Sequence, residues 1–542
     1  MQKNIKALGI GFLLLLIGTV SFLYWAGKKQ VWFLDEIYTY ESANGFEQAW
    51  PTTSLDEWMT GRDIEAFLAA DSDRLSLNEI TVRLYSDHVP LYFWLFRAAS
   101  LFFFHGSGSI WIGLSINLAF YLIILALAFR MFLHLTGRPL VSAVVIFLTL
   151  ITNRLMLEQI TMLRMYVMLL LAELLLLLAG LWILRDADSG KMKPGVFLFL
   201  FAVSVTGLLT HYDFWIFYAA TAAIFCIWLL ISAFRREKRI WVTRKFRYVL
   251  AWVGNFGCSL LATIWLFPYC RWNLNRGKGK IALESVFDFS PEKIGNILWG
   301  YRSLAASVFG EKCPVIAALT VMFGCLAGGA VILYKKREIR KLMGVILLVL
   351  VAQAYQFAVC FTLPNAQEER YLWGSSTVMM LCMAWGGVLI LQEIFRKLQS
   401  RNVHSMVFYA ASFILTAGIL AGELSIIDGG YGIAYLFQPD KDISVLKEHS
   451  EIPWIVYDPT LGIYSYYDWL IPEQICFLSQ DNTAEDAEAL CGLEGRENFV
   501  LYIYEDYLPD ALSFFEDTLD RDYSVRYLTK STNLTVFLVE ME

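Results

Sequence analysis

The sequence predicts a polytopic α-helical membrane protein with about 11 transmembrane helices and a small external C-terminal α/β domain. Three observations predict the architecture. Of 542 residues, 57% are hydrophobic and only 17% are charged, against about 45–50% and about 25% in soluble domains. Apolar stretches of roughly the length that crosses a bilayer recur as far as residue 424 and then stop. The charge divides at the same place. Residues 425–542 hold 23 Asp/Glu and 6 Lys/Arg, a net charge of −17, while residues 1–424 carry +11. Together these exclude a disordered chain, a disulfide scaffold and a soluble enzyme. Nucleic acid is not an expected partner, since no basic face accumulates on a soluble domain.

A span needs about 20 mostly apolar residues. Such segments fall at 7–26, 109–131, 140–154, 164–184, 194–211, 212–234, 248–270, 314–334, 342–362, 373–392 and 405–424. The third is short, and the fifth and sixth are parted only by Thr210-His211-Tyr212-Asp213. The first is read as an uncleaved span, because it lacks a small-residue cleavage site and ends on Tyr24-Trp25, an interfacial anchor.

Orientation follows from Lys and Arg in short loops. Lys3 and Lys6, Arg130 and Arg138, Lys191 and Lys193, the run from Arg235 to Arg247, the run from Lys335 to Lys341, and Arg396 to Arg401 all fall on one face in this count. That face is expected to be cytoplasmic. The opposite face receives loop 27–108, the turns near 155–163 and at His211, loops 271–313 and 363–372, and the acidic tail. Segment 88–104 is apolar but carries Arg97. Spanning there would invert every later loop, so it is expected to lie in the outer interface.

Residues 1–427 thus form the membrane module and 428–542 an extracytoplasmic domain. In the latter, 453–457, 474–478 and 498–504 read as buried strands, 509–519 as a helix with Pro at its start, and 523–528 with 533–539 as a closing hairpin. It has no GxGxxG and no P-loop, and its expected role is a lid or docking module. Nine cysteines are scattered without a CxxC. Cys476 and Cys491 share the external domain, and Cys270 and Cys313 flank one external loop, so either pair could oxidise, but spacing does not show it and free or buried thiols are the default expectation.

Five polar constellations lie at the external face. Asp35-Glu36 sits among aromatics in VWFLDEIYTYE, where apolar surroundings suit a carboxyl to proton transfer. Asp87-His88-Val89-Pro90-Leu91-Tyr92 opens the interfacial helix. Glu158 precedes Arg164-Met165-Tyr166 at a turn, and arginine can clamp a phosphate through its planar fork. Thr210-His211-Tyr212 and Glu368-Glu369-Arg370-Tyr371 complete the set. Each also has a plain reading as a loop charge, a structural histidine or a snorkelling arginine. Glu173, in LLLAELLLLL, is the clearest mid-span charge and the feature that a transporter would need.

In this order the motifs resemble the GT-C glycosyltransferases, and above all glycosyltransferase family 39, which includes protein O-mannosyltransferases and aminoarabinose transferases. The resemblance runs over about residues 7–400, with His88-Val-Pro where relatives often have His-Pro-Pro and a longer gap between Glu158 and Arg164. It implies a polyprenyl-phosphate-linked sugar as donor and an extracytoplasmic acceptor (polysaccharide, glycolipid or protein), with transfer by inversion at the outer face of the cell membrane. On that reading Asp35 is the general base and Glu36 positions the acceptor or tunes Asp35. Arg164 and Arg370 stabilise the departing phosphate, with Glu158 beside them. His88 and His211 bond sugar or phosphate, and Tyr92, Tyr166 and Tyr371 shape the pocket. No cofactor is expected; a divalent metal has room beside Asp35 and Glu36, but the sequence shows no ligand set for it. A lipid-sugar flippase and a non-catalytic membrane scaffold remain the alternatives.

Overall fold

The computed structural model describes residues 2–30, 32–45, 55–84, 88–189, 193–234, 243–286, 288–310, 312–362, 368–399, 441–457, 468–479, 481–531 and 534–541. The expected eleventh span at 405–424, the expected domain boundary at 427–428 and Asp87 lie outside them.

From α1 (Gln2–Ala26) the chain enters the first loop, which folds into α2 (Leu34–Asn44), α3 (Gly61–Phe67), α4 (Leu77–Arg83) and α5 (Leu91–Phe104). Next come α6 (Trp111–Thr136), α7 (Pro139–Ile146), one turn of π-helix (Phe147–Ile151), α8 (Arg154–Thr161) and α9 (Tyr166–Ser189). They are followed by α10 (Pro194–Leu208), α11 (Asp213–Phe234), α12 (Arg244–Leu266), α13 (Cys270–Asn275), α14 (Gly277–Ser285) and α15 (Pro291–Phe309). The described part of the bundle closes with α16 (Val315–Lys335), α17 (Ile339–Thr362), a 3-10 turn (Glu369–Leu372) and α18 (Trp373–Gln399).

Among the described residues, eight helices are long and apolar enough to cross a membrane: α1, α6, α9, α11, α12, α16, α17 and α18. The protein is a multi-pass membrane protein. The expected third span is broken. α7 and its π-turn meet α8 at a bend of 60°. The wider π-turn loosens the ladder, and Asn153 restarts the helix by accepting the Leu155 N–H at 3.0 Å. All eight residues of α8 are buried, so the break drives a polar segment into the bundle. The fifth expected span is the short α10, of 15 residues. α16 and α18 approach closely at Gly329 and Gly386, where a Cβ on Gly329 would stand 2.8 Å from the Gly386 Cα; small residues permit such contact in membranes.

Among the described residues, Lys193, Lys245, Lys336 and Arg340 of the basic loops lie at the bundle end where α9 finishes and α18 nears its close. At the end of α9, Asp186 pairs with Lys193 at 3.7 Å, and Asp188 pairs with Lys245 at 3.2 Å and with Arg340 at 3.4 Å. Lys336 meets Glu393 at 3.6 Å. The first loop and the tail occupy the opposite end. There α5 leaves Phe102 and Phe103 exposed and buries Arg97 completely. Arg97 donates to the Asn44 carbonyl at 2.9 Å, the Ser72 carbonyl at 2.7 Å and Asp71 at 2.6 Å. It therefore organises the loop and is not a lipid-facing charge.

The tail carries β1 (Trp454–Tyr457), β2 (Ile475–Leu478), β3 (Asn498–Ile503), β4 (Tyr523–Ser531) and β5 (Leu534–Met541), a five-stranded sheet of order β2-β1-β3-β5-β4. β1 is parallel to β2 and β3; β5 is antiparallel to β3 and β4. Side chains alternate across the sheet. Trp454, Val456 and Phe477 join the core continuous with the membrane bundle, while Ile455, Tyr457 and Cys476 pack under the tail's own helices. The first loop is stitched to this sheet. Met59 pairs with Ile475, exchanging two backbone bonds of 2.8 Å, and the Trp58 indole donates to the Ala489 carbonyl at 2.9 Å. Buried Lys441 joins Asp468 and reaches the Gln30 carbonyl at 3.1 Å. All nine cysteines are free thiols.

Candidate active site

The site is built where the start of α2 meets the turn between α8 and α9. Glu36 makes that junction. Its Oε2 accepts the Phe33 N–H at 2.7 Å, closing a capping box. Its Oε1 accepts the Leu163 N–H at 2.6 Å and Lys29 Nζ at 3.0 Å. Both members of the ion pair are fully buried. Burial pushes the Glu36 carboxyl up and the Lys29 ammonium down, and their contact opposes both shifts. Both oxygens of Glu36 are thus engaged inside the protein, an arrangement that braces the start of α2 against the 162–164 turn.

Asp35, its neighbour, points the other way and is 24% exposed. Its Oδ2 lies 3.1 Å from Arg370 Nη1 and 3.9 Å from Arg164 Nη2. Arg164 is locked in place: Nη1 donates to the Asp35 carbonyl at 2.9 Å and to Thr39 Oγ1 at 3.1 Å, and Nη2 lies 3.1 Å from His88 Nε2. His88 stacks on Phe93, with centroids 5.7 Å apart. Arg370 is paired on its far side with Glu368 and lies 5.0 Å over the Phe33 ring and 5.4 Å over Tyr371. Tyr92 is buried between Phe93 and Phe96. Asp35, a solvent-reachable carboxylate, therefore stands beside both nearly buried guanidinium groups, while Glu368 pairs with Arg370 alone, on an apolar and aromatic floor.

A second layer lies beneath. Glu158 faces Arg154 at 3.3 Å, and Arg154 extends to Glu369 at 3.6 Å. Glu158 therefore pairs with Arg154, as the local i,i+4 spacing allows. The Tyr166 ring packs edge-on to Trp373 at 5.2 Å and lies 5.5 Å from His211, whose Nδ1 is 3.2 Å from Asp213 Oδ2. Glu173 is seven residues into α9, about 10 Å from that helix's start, and its carboxyl abuts Gly374 at the start of α18. The charge read as mid-span is thus close below the loop-bearing face.

The fold draws Asp35, Arg164, Arg370, His88, Tyr166, His211 and Tyr371 into one neighbourhood, with Tyr92 in its wall. Glu36 and Glu158 are beside it with their carboxyls committed elsewhere. Arg154 and Asp213 join this neighbourhood without having been candidates; the Arg154-to-Glu158 spacing is the local signal for the first, and its place two residues after His211 for the second. Among the described residues no three or more His, Cys, Asp and Glu side chains gather as a metal would require.

No family model matches the sequence, and no curated protein matches it with significance. The architecture is a multi-pass bundle with a folded first loop and a tail domain at one face. Among solved structures it is similar to ArnT from Cupriavidus metallidurans in the apo state, with 98% of each chain covered, 10% identity and a TM-score of 0.50. The same ArnT bound to undecaprenyl phosphate aligns over 97% of each chain at 9% identity and a TM-score of 0.47. AglB from Archaeoglobus fulgidus, an oligosaccharyltransferase in complex with an inhibitory peptide and a dolichol-phosphate, aligns over 99% of this chain and 74% of its own, at 10% identity and a TM-score of 0.49.

Proposed function

We propose that this protein is a membrane glycosyltransferase that moves a sugar from a polyprenyl-phosphate donor to an acceptor at the extracytoplasmic face. The observation that carries the reading is the placement of one open carboxylate, Asp35, within 4 Å of the two buried guanidinium groups of Arg164 and Arg370, at the face opposite the basic loops. The basic end is taken as cytoplasmic by the positive-inside rule. Nucleotide sugars are then out of reach, so the donor must arrive on a lipid.

In the reaction the acceptor hydroxyl oxygen attacks the anomeric carbon. The bond from that carbon to the phosphate oxygen breaks, and the hydroxyl proton passes to Asp35. Attack opposite the leaving group inverts the anomeric centre. The leaving phosphate gains negative charge as the bond breaks, and Arg164 and Arg370 are positioned to take that charge through charge-assisted bonds. An incoming phosphate competes with Asp35 for both guanidinium groups, so donor binding also releases the base. His88, held on Arg164, and His211 above Asp213 are placed to bond the sugar or the phosphate. Tyr166, Tyr371 and Tyr92 form walls.

The test is transfer by Asp35→Asn from an undecaprenyl-phosphate sugar in detergent. General-base loss lowers turnover by about 10²–10⁴-fold while donor binding persists. A folded Asp35→Asn variant that turns over at the unmodified rate removes Asp35 as base.

A further inference from the structure

We infer that the tail domain carries a second ligand site, a groove for a non-anionic saccharide unit, separate from the Asp35 site. A cavity of about 460 Å³ opens beside the carboxyl end of β1, lined among others by Tyr457, Asn482, Tyr507, Asp510, Phe514 and Asp517. Its volume falls in the usual range for small-molecule sites.

The sheet topology explains why a groove forms there. β1 lies between β2 and β3, both parallel to it. The chain leaves β1 towards β2 on one side, and leaves β3 towards β4 and β5 on the other. The carboxyl ends of adjacent parallel strands are where open α/β sheets bind ligands. Tyr457 ends β1, and Tyr507 follows β3 at the head of the helix Leu508–Leu519.

The lining sets the chemistry. Asp510, Phe514 and Asp517 sit at i, i+4 and i+7 on that helix, and so share one face. Both carboxylates accept hydrogen bonds, and no lysine or arginine is among the described lining residues. The tail around them carries a net charge of −17 from residue 425 onward. A phosphate, a uronic acid or the lipid donor headgroup would be repelled. Tyr457 donates to Asn482 Oδ1 at 2.8 Å, which leaves the Asn482 NH₂ as the donor end of that amide. Tyr507 and Phe514 are half-buried and offer ring surface to C–H groups. Ring faces beside two carboxylates and an amide suit a sugar, which presents an apolar C–H face and a rim of hydroxyl donors. Hydroxyl-to-carboxylate bonds are the stronger, charge-assisted kind.

The experiment is calorimetric titration of the full-length protein in lipid nanodiscs, which avoids sugar-headed detergents. The probes are chitotriose, the glucosamine trimer and trigalacturonic acid. Binding of either of the first two, at least tenfold weaker in Asp517→Asn and in Phe514→Ala but unchanged in Glu516→Gln on the same helix, supports the site. Retained binding by Asp517→Asn, absence of binding by both uncharged and amine trimers, or equal binding of trigalacturonic acid overturns it. So does capture of an oligolysine peptide by this groove in place of the sugars. No donor is present, so failure here leaves the transfer reaction at Asp35 untouched.

Discussion

Glu36→Gln separates a brace from a catalyst. The wild-type carboxylate accepts from Phe33 N at 2.7 Å, Leu163 N at 2.6 Å and Lys29 Nζ at 3.0 Å, all in a dry interior. A glutamine has one acceptor oxygen. Its NH₂ must face either the Phe33 N–H or the Leu163 N–H together with Lys29, and in both cases a donor meets a donor. Leaving a buried partner charge uncompensated costs roughly 3–5 kcal/mol, and an orphaned buried N–H adds about 1–3 kcal/mol. The start of α2 and the 162–164 turn then part. Asp35 rides on the first and Arg164 on the second, so activity falls with stability. The assay pairs thermal unfolding followed by tryptophan fluorescence with sugar transfer from undecaprenyl-phosphate donor. Glu36→Gln is expected to unfold several degrees earlier and to transfer slowly, and adding Lys29→Met is expected to return part of the stability. A variant with an unchanged unfolding midpoint and a transfer rate reduced a hundredfold would refute the brace and return Glu36 to the chemistry.

Two further predictions follow from the same geometry. Arg164→Ala and Arg370→Ala each remove a charge-assisted phosphate partner worth about 1.5–3 kcal/mol, so donor affinity should fall by roughly one to two decades; a change confined to acceptor affinity, read from separate donor and acceptor titrations, would contradict the assignment. Where the first loop meets the tail, burial and the neighbouring Asp486 push the Asp56 carboxyl up to about 7. The folded protein then holds a proton there that the unfolded chain releases near pH 4, so stability falls as pH rises from about 4 to about 7. Asp56→Asn should flatten that decline in the unfolding midpoint, and an identical pH profile would show that the pair does not report on folding.

Much of the architecture is set by local pattern. Apolar run length against bilayer thickness located eight spans, while the third is broken, the fifth is the short α10 and the eleventh lies outside the described residues; lysine and arginine in short loops supply the expected orientation. Continuous apolar runs and a proline at a helix start located the strands and the helix of the tail, to within a few residues. The candidate residues were found through their chemistry against an apolar background, which the chain displays without folding. Partnership is a different kind of fact. Asp35 and Glu36 are adjacent, and neighbours on a helix diverge by about 100°, so one faces the cleft and the other the interior; only packing against Leu163 and Lys29 fixes which. Glu158 found Arg154 four residues away, because a local pair forms whenever the helix does, whereas Arg164 found Asp35 from 129 positions away once α8 bent into the bundle. The docking of Met59 on Ile475 likewise depends on backbone groups that every residue carries, and composition does not distinguish them. Segment lengths, faces and chemistry were therefore written in the sequence, and the tertiary structure alone decided which charge meets which.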